Sequence, residues 1–427
     1  MKPAAQVAEP SGTPVQPVTG SERIISLDVL RGFAVLGILV MNIQSYSMVS
    51  SAYSNPSSCG AMAMGDQSTR TGYAILYASH LFADLKFMAL FSMLFGAGMI
   101  VMTTRREQRG LKTTGFHYRR TFWLLLIGII HAYCIWYGDI LVVYAMTASI
   151  VFWAKGLRPR WLITLSLLML FIAFALSIAS GLSMPYWPEE QIAEFKTDWA
   201  PTAKAVAEEL ALYRGSWLDQ MKHRAPLALM FHTFLFVFFF FWRAGGLMLL
   251  GMALFKLKIL DASRSRKFYG WMMLSGFAIG LPIVAYGIYQ NNQHSWDMNY
   301  SFFFGPQFNY WGSLLVALGY IGAIMLLCKS GSMEWLMRKL ARVGQMAMTN
   351  YLSHSVICTL IFYGHGLGWI GTFSRLQQIS LVAVIFIFQL FFSDWWLSRF
   401  KFGPMEWLWR SLTYWRMQPI RLQPASQ

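Results

Sequence analysis

Two histidines lie within long apolar segments of this sequence, and each is followed by an aspartate at a spacing that could support proton transfer. His80 and Asp84 are four residues apart, so they share one face of a helix. His131 is followed by Asp139, which lies at a predicted turn. A carboxylate can orient an imidazole so that it acts as a general base near neutral pH. The pattern indicates acid–base chemistry in an apolar environment, and a histidine that only hydrogen-bonds a neighbouring helix is the alternative.

Basic side chains are also placed inside apolar segments. Arg31 follows Asp28 by three residues and Asn42 follows Arg31 by eleven, so all three lie on one stripe of a helix. Arg243 follows His232 by eleven residues and has ten apolar or small residues on each side. Ionisable groups at such depth are costly, and we treat them as functional candidates. A snorkelling arginine that anchors an ordinary helix is the alternative for Arg31.

Two further groups of polar residues follow the same pattern. Lys86 is two residues beyond Asp84 and points to a different face, so its partner must come from another helix. Asp84 and Lys86 could equally belong to a buried structural ion pair. Asn350 and His354 share a helix face in a late apolar segment, with Tyr351 between them.

The composition identifies the environment of these residues. Of 427 residues 56% are apolar and only 13% are charged, whereas about 25% are charged in an ordinary soluble domain. Apolar runs long enough to cross a bilayer recur along the chain, which predicts an all-α polytopic membrane helix bundle. The net charge of +16 comes largely from short loops between these runs, so it encodes topology and does not indicate a nucleic-acid partner. The four cysteines lack paired spacing and indicate neither disulfides nor a metal site.

We predict about ten membrane-spanning helices with both termini cytoplasmic. In that orientation 26 Lys and Arg residues lie on the inner side and seven on the outer side, as the positive-inside rule requires. The predicted spans are 27–49, 73–102, 121–137, 139–154, 161–182, 226–254, 268–290, 309–328, 346–364 and 377–397.

The domain organisation follows from these spans. Residues 1–22 are predicted to form a disordered cytoplasmic tail, 23–410 the transmembrane domain and 411–427 a second cytoplasmic tail. The long loop 183–225 is predicted to be extracytoplasmic and to place a short amphipathic helix on the outer face. Walker, GxSxG and HExxH motifs are absent from the sequence, and no GxGxxG directly opens a predicted helix, so ATP-driven, dinucleotide-dependent and common hydrolase functions have no support.

The segment from Arg23 to Asn42 reads R-x-x-x-L-D-x-L-R-G-x-A-x-L-G-I-L-x-x-N and resembles the opening of the YeiB-like family (domain of unknown function 418). Further matching segments follow in order along almost the whole chain: 86–98, 120–141, 248–254, 344–351 and 403–414. The chain departs from the family at Gln345, where arginine is common.

The opening motif is similar to that of a wider set of membrane acyltransferases, which includes heparan-α-glucosaminide acetyltransferases and the bacterial acyltransferase-three proteins. The resemblance implies transfer of an acyl group from cytosolic acyl-CoA to an acceptor reached from the other side of the membrane. In the acyltransferase-three proteins a histidine ends this motif, where the present chain has Asn42. Asparagine cannot act as a general base, so the proton chemistry is expected at His80 or His131.

The leading hypothesis is therefore an acyl-CoA-dependent acyltransferase of the bacterial inner membrane, with acyl-CoA as co-substrate, no permanently bound cofactor and an envelope acceptor. His131 or His80 would be the base, oriented by Asp139 or Asp84. The residues expected to bind the donor are Arg23, Asp28, Arg31, Arg120 and Arg243. The residues expected along the substrate path are Asn42, Lys86, His232, Asn350, Tyr351 and His354.

The alternative hypothesis is a transporter or exporter of a small polar or lipid-linked solute. Intramembrane Asp, Lys and Arg residues would then form a relay for protons or substrate. A clear inverted repeat with discontinuous helices would favour this function, and the two halves of the sequence show no convincing symmetry.

Overall fold

The computed structural model describes residues 23–59 and 70–422, so the predicted N-terminal tail and residues 423–427 lie outside the described residues. Within these ranges the chain is helical, and extended pairing is limited to one isolated bridge between Phe400 and Arg421. Seven helical segments of the described chain are long and apolar enough to cross a bilayer. The prediction of an all-α polytopic membrane protein is confirmed.

The α-helices of eleven or more residues in the described ranges are numbered here in chain order. They are α1 (Ile25–Ser47), α2 (Arg70–Phe82), α3 (Lys86–Gln108), α4 (Thr114–Ile130), α5 (Leu141–Val151), α6 (Pro159–Ser183), α7 (Glu189–Trp199), α8 (Ala203–Arg214), α9 (Trp217–His232), α10 (Phe241–Lys256), α11 (Arg266–Gln293), α12 (Pro306–Ser330), α13 (Glu334–Gln345), α14 (Ala347–Phe362), α15 (Arg375–Leu397) and α16 (Pro404–Tyr414).

Three of the predicted spans correspond to helices that are shorter than a bilayer requires. Helices α4 and α5 contain 17 and 11 residues and α14 contains 16, whereas a full crossing needs about 20. The first two form a hairpin that is extended by a π-helical turn at His131–Ile135 and a 3-10 turn at Phe152–Gly156. The sequence thus located these elements, and the structure shows that irregular turns complete them.

The predicted continuous span 73–102 is wrong in one respect, because the helix is broken between α2 and α3. Leu85 adopts a left-handed conformation with φ of 62°. The Lys86 ammonium donates to the carbonyl oxygen of His80 at 2.6 Å, which satisfies one of the backbone groups that the break leaves without a helical partner. Hydropathy continues through the break, so the apolar pattern could not reveal it.

The predicted span 226–254 also differs from the structure. Helix α9 begins at Trp217, within the predicted outer loop, and a π-helical turn at Phe236–Phe240 separates it from α10. The rest of that loop forms two helices, α7 and α8, where the sequence predicted one.

Helix α1 lies at the centre of the bundle and packs against α3, α12, α13, α14 and α15. Its contact with α13 is unusually close, because a Cβ atom on Gly32 would lie 1.9 Å from the carbonyl oxygen of Leu340. A Cβ atom on Gly344 would likewise lie 1.8 Å from the carbonyl oxygen of Asp28. The backbones can touch only because both positions are glycine.

The two ends of the bundle differ in charge. We call one end the basic end; it carries Arg23, the turn at 109–113 and α16. The other, which carries α7 and α8, is called the opposite end. At the opposite end, the hydroxyl of Ser50, which follows α1, donates a hydrogen bond to the carboxylate of Glu209 on α8.

Candidate functional site

A chain of hydrogen-bonded polar side chains crosses the buried interface between α1, the α4–α5 hairpin and α14. The Nδ1 atom of His131 lies 2.6 Å from Oδ2 of Asp139, and its Nε2 atom lies 2.8 Å from Oγ of Ser355. The same hydroxyl lies 2.6 Å from the phenol oxygen of Tyr46. All four side chains are buried. A buried network in which each member is paired is well ordered and specifies one arrangement.

The hairpin places the histidine and the aspartate next to each other through irregular backbone. The π-helical turn that begins at His131 ends at Trp136, which is extended, and π-turns are frequent at functional sites. Oδ1 of Asp139 accepts a hydrogen bond from the backbone N–H of Val142 at 2.7 Å, which caps the start of α5. A Cβ atom at Gly128 would lie 2.7 Å from that same nitrogen, so glycine permits the close approach of α4 to α5.

The network assigns the tautomer of the histidine. Asp139 has no proton to donate when it is ionised, so Nδ1 of His131 carries the hydrogen and donates it to the carboxylate. Nε2 is then left as an acceptor, and Ser355 donates to it. An imidazole whose Nδ1–H is oriented by a carboxylate and whose Nε2 accepts from a hydroxyl is arranged to take the proton of that hydroxyl.

A cavity of about 300 Å³ leads from the basic end towards this network. Its deep part is apolar and is lined by Ile38, Phe91, Leu94, Phe95 and Leu124. It ends at Ile140, Tyr144 and Tyr351. The ring of Tyr351 packs against that of His131, with centroids 5.4 Å apart, so one aromatic side chain separates the cavity from the histidine.

The wide part of the cavity carries a strong positive charge. Among the described residues its lining includes two carboxylates, Asp28 and Glu406, and seven arginines: Arg23, Arg31, Arg105, Arg106, Arg109, Arg120 and Arg410. Burial lowers the pKa of Arg23 and of Arg410, and the charge of Arg31 adds to the effect at both. Cations that disfavour one another in this way form a site in which an anion is stabilised.

Neither carboxylate neutralises the whole cluster. Asp28 lies 3.0 Å from Arg31 and 3.9 Å from Arg23. Glu406 accepts hydrogen bonds from the backbone N–H of Met348 at 2.7 Å and from the hydroxyl of Thr349 at 2.6 Å. It therefore caps the start of α14, where a carboxylate also interacts favourably with the helix dipole.

Aromatic side chains accompany the arginines at the basic end. The guanidinium of Arg120 lies 4.0 Å from the ring centroid of Trp409, and that of Arg106 lies 4.0 Å from that of Phe116. Stacking of this kind holds the planar guanidinium groups in place.

The structure brings together several residues that the sequence predicted separately. Arg23, Asp28, Arg31, Arg120 and Tyr351 all line the one cavity. The predicted base and its orienting carboxylate, His131 and Asp139, lie just beyond its deep end.

Arg243 was predicted to bind the donor, but it lies outside the cavity lining. Its guanidinium donates to the carbonyl oxygen of Tyr310 at 3.2 Å and to the hydroxyl of Ser313 at 2.9 Å, and it stacks on the Tyr310 ring at 4.3 Å. It joins α10 to α12 and has no salt bridge among the described residues.

The second predicted histidine belongs to a separate polar cluster at the break between α2 and α3. Nδ1 of His80 lies 3.2 Å from Oδ2 of Asp84, and the amide of Asn309 on α12 donates to the same oxygen at 2.7 Å. The oxygen of that amide accepts from Lys86 at 2.5 Å. The partner of Lys86 therefore does come from another helix. This cluster does not line the cavity.

The remaining predicted residues also lie outside the cavity lining. Asn42 and His232 are half-buried. Asn350 is bonded to the carbonyl oxygen of Val343 and to the hydroxyl of Ser393. His354 is bonded to Gln389 on α15. The last two residues join α14 to its neighbours.

Sequence reasoning missed Ser355, Tyr46 and Arg410. Ser355 is one helical turn after Tyr351, which was selected, so its position on that face could have been read from the spacing. Serine is uncharged, however, and in an apolar helix it usually bonds its own backbone. Arg410 is not among the predicted site residues, although it lies in the matching segment 403–414 and ends the predicted transmembrane domain.

Comparison with known proteins places the chain in a family. Residues 254–416 match the family model described as "Protein of unknown function (DUF418)". The chain is 30% identical to the Bacillus subtilis protein YxaH over 411 residues, which are 95% of this chain and 98% of the relative. It is also 30% identical to the Escherichia coli protein YeiB, over 92% of this chain and 96% of the relative.

A Bacillus acidopullulyticus protein encoded in the amylase 3′ region is 27% identical over 96% of this chain and 99% of the relative. No solved structure matches the chain. Because the similarity to the two 30% identical relatives extends over almost the full length of each protein, the chain belongs to the YeiB-like family of membrane proteins, DUF418.

Proposed function

We propose that this protein is an acyltransferase of the bacterial inner membrane. It would move an acyl group from cytosolic acyl-CoA to a hydroxyl or amine of an envelope glycan or lipid. The observation that carries the proposal is a cavity that begins among seven arginines and ends at Tyr351, beside the His131–Asp139 pair. The basic end would face the cytosol, in keeping with the positive-inside rule.

The charge and polarity of the cavity lining suit coenzyme A. This donor carries a diphosphate and a ribose phosphate, and arginine binds phosphate by paired, charge-assisted hydrogen bonds. Arg31, Arg120 and Arg410 line the same wide end. The deeper, apolar part would hold the uncharged arm and direct the thioester towards the histidine.

The histidine supplies the group that acyl transfer needs. Nε2 of His131 would accept the proton of the hydroxyl that attacks, as the oxygen of that hydroxyl forms a bond to the acyl carbon. The carbon–sulfur bond of the thioester breaks, and the proton passes to the departing thiolate. Asp139 would hold the ring in the required tautomer and stabilise the imidazolium. Such general-base catalysis typically contributes about 10²- to 10⁴-fold.

On the side of the network that faces the opposite end, some buried polar atoms have no hydrogen-bond partner among the described residues. The hydroxyl of Tyr363 and Nε of Arg224 are buried without a hydrogen-bond partner among the described residues. The guanidinium of Arg224 lies 6.0 Å from the Tyr363 ring centroid. Buried polar atoms are normally paired, so a hydroxyl-rich acceptor that reaches this region would supply the missing partners.

Transfer can be tested in inverted membrane vesicles that contain the overproduced protein, with radiolabelled acetyl-CoA and palmitoyl-CoA as donors. We expect label in the lipid or glycan fraction, and a loss of about 10²- to 10⁴-fold in His131→Ala. His80→Ala is the matched control, because His80 bonds Asp84 in a cluster outside the cavity lining. Unchanged transfer in both variants would rule out this mechanism.

Binding of the donor can be measured separately by titrating purified protein in nanodiscs with coenzyme A. Arg120→Gln and Arg410→Gln should each weaken binding and reduce its dependence on salt concentration, because each removes one positive charge from the cavity. Arg243→Gln is the control, since Arg243 lies outside the cavity lining. Failure of coenzyme A to bind would refute the assignment of the donor.

A second candidate function, transport of a small polar or lipid-linked solute, is favoured by the break between α2 and α3. Discontinuous helices with ionisable residues are typical of transporter binding sites, and Asp84 and Lys86 meet Asn309 at this break. Uptake by proteoliposomes in the absence of any acyl donor, lost in Lys86→Met, would support transport over acyl transfer.

A further inference from the structure

Among the described residues, Ser355 carries the hydroxyl that is hydrogen-bonded to Nε2 of His131, so it is placed to form a covalent bond to an acyl group. It lies in the middle of α14 with no solvent exposure, and its hydroxyl is bonded to His131 on one side and to Tyr46 on the other. We propose that Ser355 is acylated by the donor and carries the acyl group until the acceptor arrives. This inference rests on the proposed acyltransferase function.

The hydrogen bonds give this hydroxyl the surroundings of an activated nucleophile. Asp139 accepts from Nδ1 of His131, and Nε2 accepts from Ser355 at 2.8 Å. A serine, a histidine and a carboxylate in this order form the constellation used for covalent acyl transfer on unrelated folds, which is recognised by geometry and not by sequence order. The phenol of Tyr46 at 2.6 Å holds the serine oxygen in position.

The cavity leads to this serine from the basic end. Its deep boundary includes Tyr351, which precedes Ser355 by one turn of α14, a rise of about 5 to 6 Å. Among the described residues, the Tyr351 hydroxyl accepts a hydrogen bond from the backbone N–H of Ile140 at 3.3 Å, which is long. Rotation of this one side chain would open the route from the cavity to the hydroxyl.

A donor for the developing negative charge is present beside the network. Nε1 of Trp136 is buried and has no hydrogen-bond partner among the described residues. The Trp136 ring lies 4.3 Å from that of Tyr46 and 6.4 Å from that of His131, centroid to centroid. An unpaired N–H at this place could stabilise the oxyanion of a tetrahedral intermediate.

The step balances without a further reactant. The Ser355 oxygen attacks the thioester carbon while its proton passes to Nε2 of His131, and the carbon–sulfur bond breaks. The thiolate takes the proton from the imidazolium and leaves as coenzyme A. In the second half the acceptor hydroxyl gives its proton to the same nitrogen and its oxygen bonds to the acyl carbon. The bond between that carbon and the Ser355 oxygen breaks, and the Ser355 oxygen takes the proton back. A covalent intermediate means that donor and acceptor need not be present together.

The test uses the purified full-length protein in nanodiscs with radiolabelled acetyl-CoA and no acceptor. We expect a burst of released thiol, and one acetyl group that peptide mass spectrometry assigns to Ser355. Label should be lost in Ser355→Ala and kept in Ser353→Ala, a serine on the same helix that bonds Asn350 and Gln389 instead. Ser355→Cys should be labelled as a thioester, which neutral hydroxylamine cleaves and the serine ester resists.

The outcomes separate this inference from the function on which it rests. Acyl transfer to an envelope acceptor that persists in Ser355→Ala, without a burst or label in the wild type, overturns the acyl-serine and leaves the acyltransferase standing. Label on His131 in place of Ser355 also overturns it. Absence of coenzyme A binding and of any transfer by the wild type removes the proposed function itself, and the acyl-serine with it.

Discussion

Asp139 makes two hydrogen bonds with different roles. Asparagine at this position should keep one of these hydrogen bonds and remove the other. Asn could still accept from the backbone N–H of Val142, but its amide NH₂ would face Nδ1 of His131. The imidazole would then carry its hydrogen on Nε2 and could not accept a proton. We expect Asp139→Asn to reduce acyl transfer by about 10²- to 10⁴-fold with little change in thermal stability, as the same change does in other triads.

The measurement is the rate of transfer from acetyl-CoA in vesicles, together with the melting temperature of the purified variant. Asp219→Asn is the matched control, because Asp219 lies on the surface at the start of α9 and bonds Ser216 and Lys222. A transfer rate equal to that of the wild type would mean that the His131–Asp139 pair has only a structural role.

Individual residues differ in how far the sequence could identify them. His131 and Asp139 could be paired because a turn at Gly138 lies between them and both are ionisable in an apolar segment. Arg243 has the same sequence signature, yet it is satisfied by the carbonyl of Tyr310 and lies outside the cavity. Depth along a helix can be read from the sequence, whereas the direction in which a side chain points depends on the neighbouring helices.

At the scale of helices, the arginine cavity depends on the contact between α1 and α13. A Cβ atom on Gly344 would lie 1.8 Å from the carbonyl oxygen of Asp28. The carbonyl oxygen of Asp28 is a backbone atom and cannot rotate away, so Gly344→Ala must push α13 away from α1. This movement would also shift Arg31, which follows Asp28 by three residues in α1. We expect a cost of about 1–3 kcal/mol in stability and weaker binding of coenzyme A.

Gly270→Ala provides the matched control. Gly270 is also within a helix, α11, but a Cβ atom there would meet nothing within 4 Å. This variant should be neutral or up to about 1 kcal/mol more stable than the wild type. Thermal unfolding in detergent and titration with coenzyme A test both variants, and equal behaviour of the two would show that the α1–α13 contact can relax without cost.

The positions of the helices could be predicted better than their interruptions. Apolar length places a helix in a membrane, and each of the ten predicted spans corresponds to helical structure. The helix breaks at Leu85 and after His232 contain no proline or glycine from which they could be predicted. Local hydrogen bonds, such as that from Lys86 to the carbonyl oxygen of His80, satisfy backbone groups that the breaks leave unpaired. The π-helical turn at His131, which is central to the candidate site, is equally invisible in hydropathy.

For the whole molecule, composition was sufficient to predict a polytopic helical bundle, but the cavity could not be predicted. It is formed by residues from α1, α3, α4, α5, α13, α14 and α16, several of which are far apart in the chain. The positive-inside rule alone is sufficient to explain an excess of positive charge in the loops of a membrane protein. The convergence of arginines from separate helices on one cavity is what distinguishes a binding site from a topology signal.

Orientation in the membrane connects the fold to the proposed function. The charge bias predicts that the basic end faces the cytosol, where acyl-CoA would enter the cavity. Two exposed positions can report on this, Ser332 between α12 and α13 and Thr197 on α7. With the four native cysteines replaced, a membrane-impermeant maleimide should label Thr197→Cys in intact spheroplasts and Ser332→Cys only after permeabilisation. The reverse pattern would place the arginines outside the cell, where a cytosolic donor cannot reach them, and would refute the proposed function whatever the state of the histidine.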